Sequence, residues 1–194
     1  TMKAAGYSED EIKAAFRKKQ EMTVFTYHGD IDTLMSPLDS IRYYKSFLRS
    51  GFMSMDPKTG AVKAYVGGLD YTHFMYDMVS LGRRQVGSTI KPFLYSLAMS
   101  NGFQPCDLAP NRQQTYMVAG RPWTPRNANH SRAGQMVPLS WGLAQSSNWV
   151  SAYLMSKLNP QQFVQMLRDF GINNPDIHAS MSLCLGPCEV SVSE

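Results

Sequence analysis

Two short segments carry residue types that could do chemistry together. Ser88 and Lys91 stand three apart in Gly87-Ser88-Thr89-Ile90-Lys91-Pro92. From Ser88 to Ser100, Ile90, Phe93, Leu94, Leu97 and Ala98 recur at helical spacing, and Asn101-Gly102 ends the run. Helix positions i and i+3 are neighbours, so Lys91 lies one turn above Ser88 on the same face. A serine hydroxyl is a weak nucleophile until an adjacent base takes its proton. A desolvated lysine ammonium can give up its own proton and become that base. The helix N-terminus favours the negative charge that develops during attack on a carbonyl. Pro92 fits because first-turn N–H groups lack intrahelical partners. The chemistry predicted is acyl transfer through a serine intermediate. A helix cap beside a surface lysine is the plain alternative, since S-x-x-K arises by chance about once in 200 residues.

The second segment is Ser146-Ser147-Asn148, between two helical stretches. A tight loop there could reach into a cleft, with Ser146 relaying a proton and the Asn148 amide holding a substrate peptide group. Alone, S-x-N also reads as a helix-to-helix turn with Asn as a cap.

The elements that must position these residues follow from periodicity and punctuation. Ser8-Glu9-Asp10-Glu11 is a capping box opening a helix to about Gln20, with Ile12, Ala15 and Phe16 on one face. Met22 to Tyr27 alternates as a strand, and His28-Gly29-Asp30 is a turn. Pro37-Leu38-Asp39-Ser40 opens a helix to about Ser50, closed by Gly51. A hairpin follows: Phe52 to Asp56, the turn Pro57-Lys58-Thr59-Gly60, then Ala61 to Val66. Residues 103–137 hold prolines and little periodicity, which suggests a functional stretch. Helices resume at Pro138–Gln145, Trp149–Leu158 and Pro160–Phe170, the last capped by Asn159 and stopped by Gly171.

Composition narrows the classes. The chain has 194 residues, 43% hydrophobic and 18% charged, which is ordinary globular usage and excludes a disordered tail. Its length alone suits one domain. No run approaches the roughly 18–20 apolar residues of a membrane span, and no secretory signal pattern opens the chain. The net charge is +4, and the basic residues are scattered among acids, so no nucleic-acid partner is expected. The cysteines are Cys106, Cys184 and Cys188, an odd number that cannot all pair within the chain. Too few histidines accompany them for a zinc site. Free thiols are the expectation, with a local Cys184–Cys188 disulfide open in an oxidising compartment.

The two segments together, with their surroundings, resemble class A (bifunctional) penicillin-binding proteins. S-x-x-K occurs with a later S-x-N-type box in that group. Met55 to Gly68 (MDPKTGAVKAYVGG) looks like the hairpin that opens their transpeptidase domain. Arg83-Arg84-Gln85-Val86-Gly87-Ser88-Thr89-Ile90-Lys91-Pro92-Phe93 resembles their nucleophile segment. Trp123-Thr124-Pro125-Arg126-Asn127 and Leu183 to Ser191 (LCLGPCEVS) match the same pattern. Pro37 to Tyr44 resembles the segment leading into that domain. The resemblance covers nearly the whole chain. It implies an α+β fold of the penicillin-binding/serine β-lactamase type: an antiparallel sheet with packed helices and Ser88 at the start of a buried central helix. It divides the chain into an interdomain segment at 1–50 and a C-terminally incomplete transpeptidase domain at 51–194.

By that resemblance, Ser88 would attack the penultimate D-Ala carbonyl of a peptidoglycan stem peptide, and Lys91 would accept its proton. Ser146 and Asn148 would complete proton transfer and hold substrate. The Ser88 N–H would be half of the oxyanion hole, and β-lactams would acylate the same serine. No metal or organic cofactor is implied. The parent protein would carry a glycosyltransferase domain and a membrane anchor and work on the outer face of the cytoplasmic membrane. One departure matters: the family's K-T-G box follows S-x-N, and none does so here. Lys58-Thr59-Gly60 precedes Ser88 and reads as a turn. Without later strands, hairpin 52–66 is expected to expose an edge and an apolar face. The alternative is a β-lactam-binding sensor or a non-catalytic penicillin-binding module.

Overall fold

The computed structural model describes residues 2–194. They form two compact units, one ending at Met78 and the other running from Val79 to Glu194.

In the first unit, the Ser8 box caps α1 (Glu9–Arg17), with the Ser8 and Glu11 side chains each satisfying the other's backbone. The helix stops short of the expected Gln20 because Lys18 turns extended and Gln20 starts β1 (Gln20–Val24). β1 pairs antiparallel with β2 (Ile31–Met35), from Gln20↔Met35 to Val24↔Ile31. The turn between them is closed by reciprocal Thr26 and Gly29 backbone bonds. α2 (Pro37–Ser46) is capped by Ser36, one residue before the expected start. It ends at Ser46, not Ser50. Phe47 leaves the helix and its ring joins Phe25, Tyr43 and Phe74, with centroids 5.1–5.6 Å away. That aromatic cluster is the core of this unit. Burying an aromatic ring gains more than one further helical turn.

The hairpin is β3 (Phe52–Met55) against β4 (Val62–Val66), with a bulge between Ser54 and Met55. Lys58-Thr59-Gly60 lies in its turn, as expected. Asp56 Oδ1 accepts the Lys58 and Thr59 N–H groups at 2.8 and 3.1 Å, and Gly60 takes φ +71°. Those two N–H groups hold the Asp56 carboxyl below its usual range. Phe52, Val62 and Val66 are each more than half exposed, so the apolar strands do face outward.

In the second unit, β5 (Arg84–Gln85) leads through a 3₁₀ turn, Gly87–Ile90, into α3 (Lys91–Ser100). The central helix is buried as expected: Leu94 and Ala98 are fully buried. Its first turn is 3₁₀ rather than α. Residues 103–137, expected to lack elements, hold short strands: β6 (Leu108–Pro110), β7 (Tyr116–Val118) and β8 (Arg121–Trp123). β9 (Met136–Pro138) returns to pair with β6. Strands of three residues carry no readable period. α4 (Leu139–Ala144), α5 (Asn148–Met155) and α6 (Pro160–Asp169) follow. Val150, Ala152, Leu154 and Met155 of α5 and Phe163 and Leu167 of α6 pack with α3 into one core. A 3₁₀ turn, Met181–Leu185, ends at Gly186, and β10 (Glu189–Val190) pairs with β5. The antiparallel strands of the α+β fold thus occur as five two-stranded sheets among the described residues.

Candidate active site

The turn bearing Ser88 is held from behind by the 184–188 segment. Val86 N–H donates to Cys188 O and Gly87 N–H to Gly186 O, both at 2.9 Å. Both glycines have positive φ, +55° at Gly87 and +66° at Gly186, and they meet face to face. A Cβ on Gly186 would stand 2.1 Å from the Gly87 carbonyl oxygen. Only glycine fits there. The Lys91 N–H donates to Ser88 O, which ties the serine to the first helical turn.

The second wall is the end of α4. Ser146 N–H bonds back to Leu143 O and Ser147 N–H to Gly142 O, each at 2.9 Å. Ser146 takes φ +51°, a left-handed conformation that non-glycine residues rarely adopt. Such strain clusters at working sites when the surroundings enforce it. The twist turns the Ser146 carbonyl toward α3, and Ser147 then caps α5 by accepting from Val150 N–H.

Lys91 joins the two walls. It is 1% exposed. Its Nζ donates to Ser146 O at 2.6 Å, to Asn148 Oδ1 at 2.7 Å and to Ser146 Oγ at 3.0 Å. These three acceptors match the three N–H donors of an ammonium, yet all are neutral. Burial therefore wins and pushes the Lys91 pKa down to about 8. A Cys184 thiolate would oppose that shift. Burial pushes the Cys184 thiol up to about 12, so it stays neutral when Lys91 titrates. The result is a lysine that is a usable base near neutral pH.

Ser88 is exposed and lines a cleft of about 170 Å³ with Asn127, Trp141, Gln145, Ser146 and Asn148. Ser88, Ser146 and Asn148 thus line one cleft, while Lys91 is buried and reaches the site through its bonds to Ser146 and Asn148. Ser146 lies where it could pass a proton to Lys91. Asn148 is more committed than expected: its Oδ1 faces Lys91, and its Nδ2 donates to Arg126 O at 2.7 Å. One N–H of that amide remains for a substrate carbonyl.

Sequence reasoning did not single out Asn111, Asn127 or Gly186. Asn111 and Asn127 contact the S-x-N loop across 36 and 21 residues of sequence. Asn127 falls within the Trp123–Asn127 match, which by itself assigns it no role. Gly186 carried the one local signal, a Gly-Pro pair in the quoted Leu183–Ser191 pattern. Among the described residues, no group of three or more His, Cys, Asp or Glu could hold a metal ion. All three cysteines are free thiols.

Comparison with known proteins gives a consistent picture. The penicillin-binding protein transpeptidase domain matches residues 50–181, more than half of the chain. The penicillin-binding protein middle domain matches residues 1–48. Penicillin-binding protein 1A of Neisseria flavescens is 34% identical over 147 residues, 74% of this chain and 18% of that protein. The chain thus spans under a fifth of that relative's length. The crystal structure of penicillin-binding protein 1A from Haemophilus influenzae superposes with a TM-score of 0.69 at 24% identity, covering 87% of this chain and 24% of that one. A peptidoglycan glycosyltransferase from Burkholderia ambifaria superposes at 0.54 and 20% identity, over 79% of this chain and 52% of that one. At those identities the structural matches speak to fold.

Proposed function

The chain belongs to the penicillin-binding protein transpeptidase family, and on that premise we propose that it carries the acyl-transfer centre of a class A, bifunctional cell-wall synthase. The observation that supports this most is the buried Lys91, bonded to Ser146 and Asn148 beside the cleft that Ser88 lines.

The chemistry runs in two halves. Ser88 Oγ attacks the carbonyl of the penultimate D-Ala of a peptidoglycan stem peptide. Its proton passes to the neutral Lys91 amine, directly or by way of the Ser146 hydroxyl. The Ser88 N–H donates to the developing oxyanion, and the free Asn148 N–H holds the peptide group. The C–N bond then breaks, and the terminal D-Ala leaves as an amine with a proton returned from Lys91. An amine from a neighbouring stem peptide attacks the ester, and Lys91 takes a proton from it. The ester C–O bond breaks, the new amide is the cross-link, and Lys91 returns the proton to Ser88 Oγ. In both steps the nucleophile's proton is handled by side chains, and the main chain contributes the Ser88 N–H. A β-lactam opens on Ser88 in the same way and leaves a slowly hydrolysed ester.

In this reading residues 1–50 are interdomain and 51–194 belong to the transpeptidase domain, which the middle-domain match at 1–48 and the transpeptidase match at 50–181 support. The second oxyanion donor comes from a K-T-G strand, a role that Lys58-Thr59-Gly60 does not fill. Losing one such donor costs about 10²–10³ in turnover. The parent bears a glycosyltransferase domain and a membrane anchor and faces the periplasm. The middle-domain match at 1–48 agrees with a multidomain parent. Among the described residues, no helix is long and apolar enough to cross a membrane.

The test is labelling of the full-length protein with a fluorescent penicillin, followed by peptide mapping. The expected adduct is on Ser88, absent in S88A and in K91M. A protein that folds but carries no adduct on Ser88 overturns the proposal. An adduct without cross-linking of stem peptides supports the sensor alternative instead.

A further inference from the structure

The Trp123–Asn127 segment has no part in the reaction just described, yet it holds the loop that does. Asn127 Oδ1 accepts the N–H of Asn148 at 2.7 Å and that of Trp149 at 3.3 Å. These are the first two residues of α5, whose N–H groups have no intrahelical acceptor. Asn127 Nδ2 donates to Ser147 Oγ at 3.3 Å. The next two residues upstream act on the same pair: Arg126 O accepts from Asn148 Nδ2 at 2.7 Å, and Pro125 O from Trp149 Nε1 at 3.1 Å.

A buried asparagine backs this arrangement. Asn111 is fully buried. Its Oδ1 accepts from Ser147 Oγ at 2.9 Å, and its Nδ2 donates to Ser131 O and Arg132 O. The loop 127–132 and the Ser146–Asn148 loop are thereby pinned to one residue. The consequence falls on Asn148. With its Nδ2 fixed by Arg126 O, its Oδ1 must point the other way, which is where Lys91 Nζ lies.

We propose that Asn127 is a positioning residue: one planar amide, accepting from Asn148 and Trp149 and donating to Ser147, fixes the Ser146–Asn148 loop against Lys91. Its consequence for catalysis rests on the acyl-transfer reading above. Its effect on the loop does not. An amide suits the position because it accepts and donates at once. Aspartate keeps the shape and the acceptor and places a carboxylate at a helix N-terminus, where it is tolerated. Alanine keeps neither.

The experiment uses the full-length protein with N127A and N127D, read by hydrogen exchange and by acylation with a fluorescent penicillin. In N127A the amides of Asn148 and Trp149 are expected to exchange about tenfold faster, and acylation of Ser88 to slow by about 10–100-fold. N127D is expected to restore protection at both amides to within a few-fold of wild type and to recover part of the acylation rate. Wild-type exchange at those amides in N127A overturns the proposal. So does an N127D protein, folded by its thermal transition, that leaves them as exposed as alanine does. If N127A does not fold, the N127D comparison with wild type decides alone. If wild-type protein takes no label at Ser88, the acyl-transfer reading fails while the exchange results still judge Asn127.

Discussion

Gly186 and Gly87 touch backbone to backbone. Gly87 N–H donates to Gly186 O at 2.9 Å, and both residues sit at positive φ. The contact places the 184–188 segment directly behind the nucleophile's turn. A methyl group at Gly186 would fall 2.1 Å from Gly87 O, against backbone that cannot rotate aside. G186A is therefore expected to cost at least about 2 kcal/mol, from overpacking plus the left-handed backbone. It should also slow acylation of Ser88, because relief requires the turn to shift. Thermal unfolding and penicillin labelling of the same variant measure the two effects. A G186A protein equal to wild type in both would contradict this geometry.

Lys91 links site and stability through pH. Its pKa is about 8 in the folded chain against 10.5 as a free side chain. Between those values the unfolded chain holds a proton that the native state has released. Stability therefore rises with pH across that window. The swing attributable to Lys91 is on the order of 3 kcal/mol. Cys184 and Tyr95, both pushed up to about 12 by burial, act in the opposite sense above pH 9–10. The comparison must then be with K91M, in which those two groups remain. Denaturant titrations from pH 7 to 10.5 should show wild type gaining on K91M. The rate of acylation should rise with a midpoint near pH 8, as the neutral amine appears. A midpoint above 10 would mean that burial does not depress this lysine.

Ser146 holds a conformation that costs an L-residue about 1–2 kcal/mol. Its hydroxyl and its strain can be separated. S146A removes the hydroxyl and keeps the strain; S146G removes both. S146G should be more stable than S146A by about 1 kcal/mol, while acylation falls by a similar factor, about 10², in the two. Equal stability of the pair would show that the positive φ is not maintained in solution.

What could be read from the sequence was local. Ser88 and Lys91 are three apart on one helix, Ser8 and Glu11 make a reciprocal cap, and Gly60 closes a two-strand turn. Each depends on neighbours within a few residues, and the structure holds the cap and the turn as expected. The misses depended on distant partners. α2 ends at Ser46 because Phe47 is drawn to Phe25 and Phe74, which lie on other segments. β2 is a short run, Ile31-Asp32-Thr33-Leu34-Met35, with little burial to mark a face. Asn111 and Asn127 are ordinary loop asparagines until the fold brings them to Ser147 and Asn148. Lys91 and Asn148 each had an expected role, toward Ser88 and toward substrate, but neither their bond to one another nor the Arg126 carbonyl that orients the amide had a signal in the sequence.

The cysteines offer a check on the packing around Lys91. Cys106 is exposed, Cys188 half-buried and Cys184 fully buried beside the lysine. Burial raises the Cys188 thiol and pushes Cys184 up to about 12. At pH 8 Cys184 is then held as the thiol, and it is also sterically shielded. Native alkylation followed by peptide mapping should modify Cys106 first, Cys188 slowly and Cys184 hardly at all. In denaturant without reductant, all three should react. If only Cys106 reacts there, Cys184 and Cys188 are paired. The turn behind Ser88 would then be held by a covalent tie in addition to the Val86–Cys188 and Gly87–Gly186 bonds.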